Sequence, residues 1–303
     1  MGAIDARIVR PAPLTLRQTA AAYASLTKPR IISLLLITTI PAMILAAEGW
    51  PSTWLVVATV IGGTLAAGGA NAINCYIDRD IDQLMHRTQG RPLPMGQVDP
   101  TSALVFALML EAAAFVLLAT TSNLLAATLA LSATAFYVFV YTLWLKRTSK
   151  QNIVIGGAAG AVPPLVGWAA VTGELSVAAV ILFAIVFVWT PPHFWALSIK
   201  YRDDYARARV PMLPVVATLD ETKAQIFWYA AALIPVSLLL IPASSLGWIY
   251  GASAAVLGAG FAWQAWRLRS DSAPGASMGV FRFSITYLAV LFVAMAADQL
   301  LLG

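Results

Sequence analysis

Apolar stretches of membrane-spanning length recur along the whole chain, at about 31–47, 54–77, 103–120, 124–145, 153–171, 175–197, 225–242, 246–266 and 281–301. A transmembrane helix needs roughly 20 such residues. These runs are apolar on every face rather than along one stripe, which separates them from the helices of a soluble bundle. The pattern predicts an all-α fold, a polytopic membrane bundle of about nine transmembrane helices in a single domain over residues 1–303. Gly49-Trp50-Pro51 and Pro242-Ala243-Ser244 punctuate helix ends, whereas Pro163-Pro164 and Pro191-Pro192 fall inside or late in helices and predict kinks. Residues 1–27 are polar and basic, lack the short apolar core of a signal peptide, and read as a solvated tail.

Composition agrees: 60% of residues are hydrophobic, 11% are charged and the mean hydropathy is +0.78, where soluble domains carry about 25% charged residues. The lone Cys75 excludes an intrachain disulfide and a cysteine-only metal site. With nine spans, all 19 Lys and Arg fall on one side, while the other carries only Glu48, Glu174 and Asp298. The positive-inside rule then puts the N-terminus in the cytoplasm and the C-terminus outside. The net charge of +5 reports topology and contact with membrane lipids, not nucleic-acid binding.

Charge returns in force directly after the second apolar run, in "NAINCYIDRDIDQLMHRTQGRP", Asn71 to Pro92. Asn74, Asp78 and Asp82 are spaced i, i+4, i+8, so each is turned only about 40° from the last and the three share one helix face. Asp80 points elsewhere, as a solvated or supporting charge. Carboxylates this close repel one another and gain nothing from a helix C-terminus, so a cation should hold them. Magnesium is the natural candidate, a hard ion that takes oxygen ligands and shares carboxylates with phosphates. Arg87 and Arg91 are again i, i+4, and guanidinium forks match phosphate oxygens, so the pair suggests a metal-bridged phosphate ester. Taken singly, each arginine could be a snorkelling anchor and each aspartate a solvated loop charge.

A second cluster follows the sixth apolar run, in "HFWALSIKYRDDYARARVPMLP", where Lys200, Tyr201, Asp203, Asp204 and Tyr205 offer a cation, carboxylates and hydroxyls. Two acidic clusters on one membrane face could clamp both ends of a diphosphate through metal ions.

With both clusters in view, the chain resembles the UbiA superfamily of intramembrane prenyltransferases, and within it the protohaem IX farnesyltransferase (haem O synthase) family. The similarity runs through "LTKPRI" at 26–31, "IDRDIDQLMHRTQGRPLP", "YTLWLKRTSKQNIVIGGAAGAVPPLVGW" and "WTPPHFWALSIKYRDDYARARVPMLPV". The superfamily pattern N-D-x-x-D-x-x-x-D has Cys75 in its second position here, which fits the haem branch and speaks against a quinone-precursor aromatic acid or a chlorophyllide as acceptor. Arg209 stands where the family usually has Gly, a departure that bears on the turn before Val210-Pro211.

The resemblance implies a UbiA-type fold and a magnesium-dependent transfer of farnesyl from farnesyl diphosphate to a vinyl group of haem B, giving haem O for terminal oxidases. Carried over by residue, it puts Asn74, Asp78 and Asp82 on metal and diphosphate. Arg87, Arg91, Tyr141, Lys146, Arg147, Lys200 and Tyr201 fall on the diphosphate, with Asp203 and Asp204 as metal candidates from the second cluster. Asp78, Asp82, Lys146 and Asp204 are the expected catalytic residues. Tyr201 and Tyr205 align with the aspartates of the superfamily's second motif, which leaves open which carboxylate there binds metal. The resemblance further implies a bacterial plasma (inner) membrane location, with haem A synthase or oxidase assembly proteins as partners.

His193, one of two histidines, is the expected haem contact; a packed, hydrogen-bonded helix histidine is the plainer reading. His86 sits in the charged loop and reads as solvated. Glu111 falls mid-span, where a carboxyl is either functional or paired within the bundle. A transporter also uses acidic tracks and kinked helices, but its sites usually lie near the bilayer midplane, whereas these clusters sit at one interface.

Overall fold

The ends of the apolar runs are written in capping residues. The computed structural model describes residues 14–270, 273 and 275–303, all helix and turn among those residues. Thr15 opens α1 (Leu16–Leu26) with a capping box to Gln18. Ala22 and Leu26 of α1 are buried while most of its other residues are exposed, so the described part of the tail, residues 16–26, is a helix docked along one face; Arg7 and Arg10 lie outside the described residues. Pro29 starts α2 (Pro29–Ala46), α3 runs from Thr53–Ile77, and the short α4 (Arg79–Asp82) follows at once. Asp99 accepts from the Ser102 amide and caps α5 (Pro100–Thr121), and Asn123 accepts from the Ala126 amide to cap α6 (Leu124–Ala135).

Beyond α6 the chain winds as a ten-residue π-helix, Phe136–Leu145, before the single turn α7 (Lys146–Thr148). Long π-helices are rare and concentrate at functional sites. Pro163 divides the fifth apolar run into α8 (Asn152–Ala161) and α9 (Pro163–Thr172), as proline geometry demands. By contrast α10 (Val177–Lys200) runs through both Pro191 and Pro192 as one helix. Then come α11 (Arg202–Arg207), α12 (Leu213–Val216), α13 (Leu219–Leu238), α14 (Trp248–Ser270) and α15 (Ala276–Leu302).

Among the described residues, seven helical segments are long and apolar enough to cross a membrane: α2, α3, α5, Leu124–Thr148, Asn152–Thr172, α10 and α15. The remaining two of the nine expected spans, in α13 and α14, have the length but carry more polar residues, Asp220, Glu221 and Lys223 in one and Arg267 and Arg269 in the other. The protein is thus a multi-pass membrane protein, with seven spans supported by composition.

The helices close into a ring. Helix α2 packs on α3, α9 and α15; α3 packs on α5; α10 packs on α8, α13 and α15; and α14 fills the space between α13 and α15. Asp298, an outer-face charge by the sequence, is fully buried on α15. It accepts from the Gly247 and Tyr250 amides at 2.6 and 2.8 Å, so it caps α14 from a neighbouring helix. Ring closure leaves a cavity of about 360 Å³ bounded by α2, α3, the π-helix, α8, α9 and α10.

Candidate active site

The i, i+4 register of the acidic stripe survives the end of α3. The Asp78 amide donates to the Asn74 carbonyl and the Asp82 amide to the Asp78 carbonyl, at 2.9 and 2.8 Å, so the turn carries through into α4. All three side chains are buried. Asn74 Nδ2 donates to Asp78 Oδ2 at 2.7 Å and to Thr142 Oγ1 at 3.1 Å, which ties the stripe to the π-helix. Thr142 in turn donates to the Tyr137 carbonyl five residues back, a span that fits the wider π winding. Tyr137 and Tyr141 stack at 5.4 Å and line the cavity beside this wall.

Each aspartate has its own cation. Lys146, itself buried, is ion-paired with Asp78, and Arg91 Nη1 donates to Asp82 Oδ2 at 2.7 Å. Each still keeps one oxygen, Asp78 Oδ1 and Asp82 Oδ1, buried with no hydrogen-bond partner among the described residues. Arg147 Nη2 stands 3.7 Å from the first of these. Buried, unsatisfied carboxylate oxygens are costly, and as a donor set they suit a hard divalent cation.

Asp80 is turned outward as the helical geometry requires, its side chain 59% exposed. It takes two hydrogen bonds from Arg147, at 2.7 and 2.8 Å, which hold its carboxyl down at about 2. Arg147, expected on the diphosphate, is therefore occupied by Asp80 and does not line the cavity.

The second cluster meets the first by direct contact. Asp204 accepts from the amides of His86 and Arg87 at 3.3 and 3.4 Å and is ion-paired with Arg207. Arg87 Nη2 donates to Tyr205 Oη at 2.9 Å. Asp203, one position earlier on α11, is exposed, because adjacent helical residues diverge by about 100°. Lys200 is also exposed, with its ammonium 5.3 Å from the Tyr201 ring, and neither residue lines the cavity. Among the described residues no three Asp, Glu, His or Cys side chains form a ready metal cage. The four aspartates expected on metal are therefore not gathered at one point: Asp82 lines the cavity, Asp78 is buried behind it on Lys146, Asp204 anchors the 83–91 loop, and Asp203 faces out.

One cavity residue was legible from the sequence only as a membrane-side charge. Lys28 lies in a left-handed conformation (φ 54°) just before Pro29 and donates from Nζ to Asn74 Oδ1 at 2.8 Å. Burial lowers its ammonium to about 8. Strained backbone of this kind clusters at functional sites, and the signal in the sequence was "LTKPRI" itself. The cavity wall carries Lys28, Arg87, Arg91 and Lys146 against Asp82. That positive excess suits a polyanion, and the rest of the cavity is mostly aliphatic and aromatic, including Trp189, His193 and Phe194.

Glu111 is paired within the bundle. It is buried on α5, accepts from Thr134 Oγ1 at 3.1 Å, and lies so near Gly69 that a Cβ there would meet its Oε1 at 2.6 Å. His86 is exposed, as expected. Arg209 adopts φ 53°. Its amide donates to the Ala206 carbonyl, and the next amide, of Val210, donates to the Tyr205 carbonyl. This is the Schellman turn that glycine favours, so the turn is kept and the arginine bears its strain.

The model of the UbiA prenyltransferase family matches residues 35–296. A protoheme IX farnesyltransferase of Clavibacter michiganensis is 53% identical over 302 residues, covering 99% of this chain and 98% of the relative. One from Gloeobacter violaceus is 54% identical over 281 residues, 92% of each chain. Among solved structures, a digeranylgeranylglyceryl phosphate synthase superposes with a TM-score of 0.76 at 17% identity, over 93% of this chain and 99% of that one. A UbiA homologue of Archaeoglobus fulgidus, bound to DMAPP and Mg2+, gives 0.69 at 16% identity over 93% and 99%. Matched by its family's model across most of its length and by close relatives nearly end to end, the chain belongs to the UbiA prenyltransferase family.

Proposed function

We infer that this protein is a haem O synthase, transferring farnesyl from farnesyl diphosphate to a vinyl group of haem B. The observation that carries the reading is the cavity whose wall combines Lys28, Arg87, Arg91 and Lys146 with a large apolar and aromatic surface. The cationic side chains bind the diphosphate and stabilise the charge that develops on it as the allylic C–O bond breaks, the diphosphate leaving with the electron pair of that bond. The apolar wall buries the prenyl chain, at about 0.8 kcal/mol per CH₂, and keeps water from the allylic cation. The terminal vinyl carbon of haem B then bonds to the farnesyl carbon, and water captures the cation on the haem side and loses a proton, giving a hydroxyethylfarnesyl group. His193 lies on the haem.

Magnesium fits the buried, unpartnered oxygens of Asp78 and Asp82 and, when bound, neutralises negative charge developing on the leaving diphosphate. Asn74 orients Asp78 through its amide, and Lys28 fixes Asn74 in turn. The enzyme sits in the bacterial plasma membrane with its N-terminus and both clusters cytoplasmic and its C-terminus outside. Its lipophilic product passes within the bilayer to haem A synthase or to oxidase assembly proteins.

The test is incubation of the purified, membrane-reconstituted protein with haem B, farnesyl diphosphate and magnesium. A product whose mass equals haem B plus farnesyl plus hydroxyl is expected. Farnesyl transfer to a quinone precursor and none to haem would overturn the reading.

A further inference from the structure

His193 is held by more than packing. Its ring lies between Trp189 and Phe281, with centroids 4.2 and 4.6 Å away and planes tilted by 20° and 29°. Its Nδ1 is 2.7 Å from Ser284 Oγ on α15. Ser284 is fully buried, and its carbonyl accepts from Trp189 Nε1 at 2.8 Å. One residue of α15 thus holds both the imidazole and the indole stacked on it.

The direction of the His193–Ser284 bond follows from proton counting. A serine hydroxyl has one proton. Ser284 Oγ lies 2.6 Å from the Phe281 carbonyl oxygen, a separation at which two oxygens repel unless a proton lies between them. The hydroxyl proton is therefore given to Phe281, and Ser284 Oγ accepts from His193 Nδ1–H. In a neutral imidazole the other nitrogen, Nε2, then carries the lone pair. Among the described residues nothing bonds Nε2, and His193 lines the cavity.

We propose that Ser284 is a positioning residue: by accepting from Nδ1–H it fixes the tautomer and plane of His193, so that Nε2 presents a bare lone pair to the cavity as axial ligand to the iron of haem B. The inference rests on haem as the acceptor substrate. A histidine that ligates iron through one nitrogen while the other donates to a fixed oxygen is a better-oriented and more basic ligand, and loss of such a partner typically costs about 10–100-fold in metal affinity. Held by its iron, the porphyrin has one fixed point about which its vinyl groups are aimed at the prenyl chain. The stacked Trp189 and Phe281 limit the swing of the imidazole about that point.

The test is titration of the full-length protein in detergent with ferric haem B, following the Soret band, with farnesyl diphosphate binding measured separately on each variant. The wild type is expected to show imidazole-ligated haem, and His193→Ala to lose that signature. Ser284→Ala should weaken haem binding about tenfold and alter the ligation spectrum while farnesyl diphosphate binding is unchanged, and Ser284→Thr, which restores a hydroxyl, should recover both. A Ser284→Ala protein with wild-type haem affinity and spectrum overturns the role of Ser284. So does one that loses both substrates equally, since that is a general loss of fold. A His193→Ala protein that keeps the imidazole signature instead sinks the placement of haem on His193.

Discussion

Lys28 Nζ reaches Asn74 Oδ1 at 2.8 Å, joining the first residue before α2 to the head of the acidic stripe on α3, 46 positions later. The side chain is half-buried on the cavity wall, and an ammonium with one neutral partner remains short of acceptors. A diphosphate supplies them. Lys28→Met, which keeps the length of the side chain, should raise the KM for farnesyl diphosphate at least tenfold and leave haem binding near wild type. Equal losses for both substrates would show that Lys28 only shapes the start of α2.

Asp78→Asn or Asp82→Asn should abolish turnover in a protein that still inserts and folds, because each removes a negative charge beside an unpartnered buried oxygen while keeping size. Raised magnesium should partly rescue Asp82→Asn, since a site with one carboxylate fewer binds the ion more weakly without vanishing. Asp80→Asn should cost far less, its exposed carboxyl bonding only outward to Arg147. Turnover of the three purified variants across a magnesium series checks this, and near-normal farnesylation by Asp78→Asn would rule out a metal held by Asp78.

That stripe was legible in the sequence because helical register alone determines which of four nearby polar residues share a face, and the backbone kept the register through Asp82. The bundle was legible for a similar reason, since bilayer thickness sets the length of an apolar run. What the sequence could not give were contacts made at a distance. The capture of Arg147 by Asp80, the reach of Lys28 to Asn74 and the attachment of Asp204 to the amides at 86 and 87 depend on how helices cross. Nor does composition reveal the π winding of Phe136–Leu145.

Arg209→Gly should stabilise the protein. A non-glycine residue at φ 53° bears a left-handed strain of about 1 kcal/mol or more, partly offset by the greater chain entropy of glycine, about 0.5–1 kcal/mol. The net gain is of the order of a few tenths to 1 kcal/mol. Thermal denaturation in detergent should show a small upward shift with unchanged turnover; a downward shift would mean that the arginine has a contact worth more than its strain.

Topology is tested by fused reporters. One placed after Gly303 should lie outside the cytoplasm, and ones at Gln151 and Asp220 inside, since an odd number of spans separates those sites from the end of α15 under the nine-helix reading. A cytoplasmic C-terminus would leave α13 or α14 on the membrane surface, where their lower apolarity would then have its explanation.

The last prediction separates two roles for Asp204. As a metal ligand its loss would raise the magnesium concentration needed for half-maximal rate. As the anchor seen here, accepting from the His86 and Arg87 amides and paired with Arg207, its loss would instead free the 83–91 loop. Arg87 would leave Tyr205, and Arg91, four residues on, would sit less often on Asp82. Asp204→Ala should therefore raise the KM for farnesyl diphosphate by about tenfold, the scale of one lost charge-assisted contact, with the magnesium dependence unmoved. Tyr205→Phe, which deletes only the hydroxyl that Arg87 reaches, should reproduce part of that effect. A shifted magnesium dependence in Asp204→Ala, with Tyr205→Phe silent, would return Asp204 to the metal and leave the loop to be held by Thr88, whose hydroxyl bonds the Asp82 carbonyl at 2.9 Å.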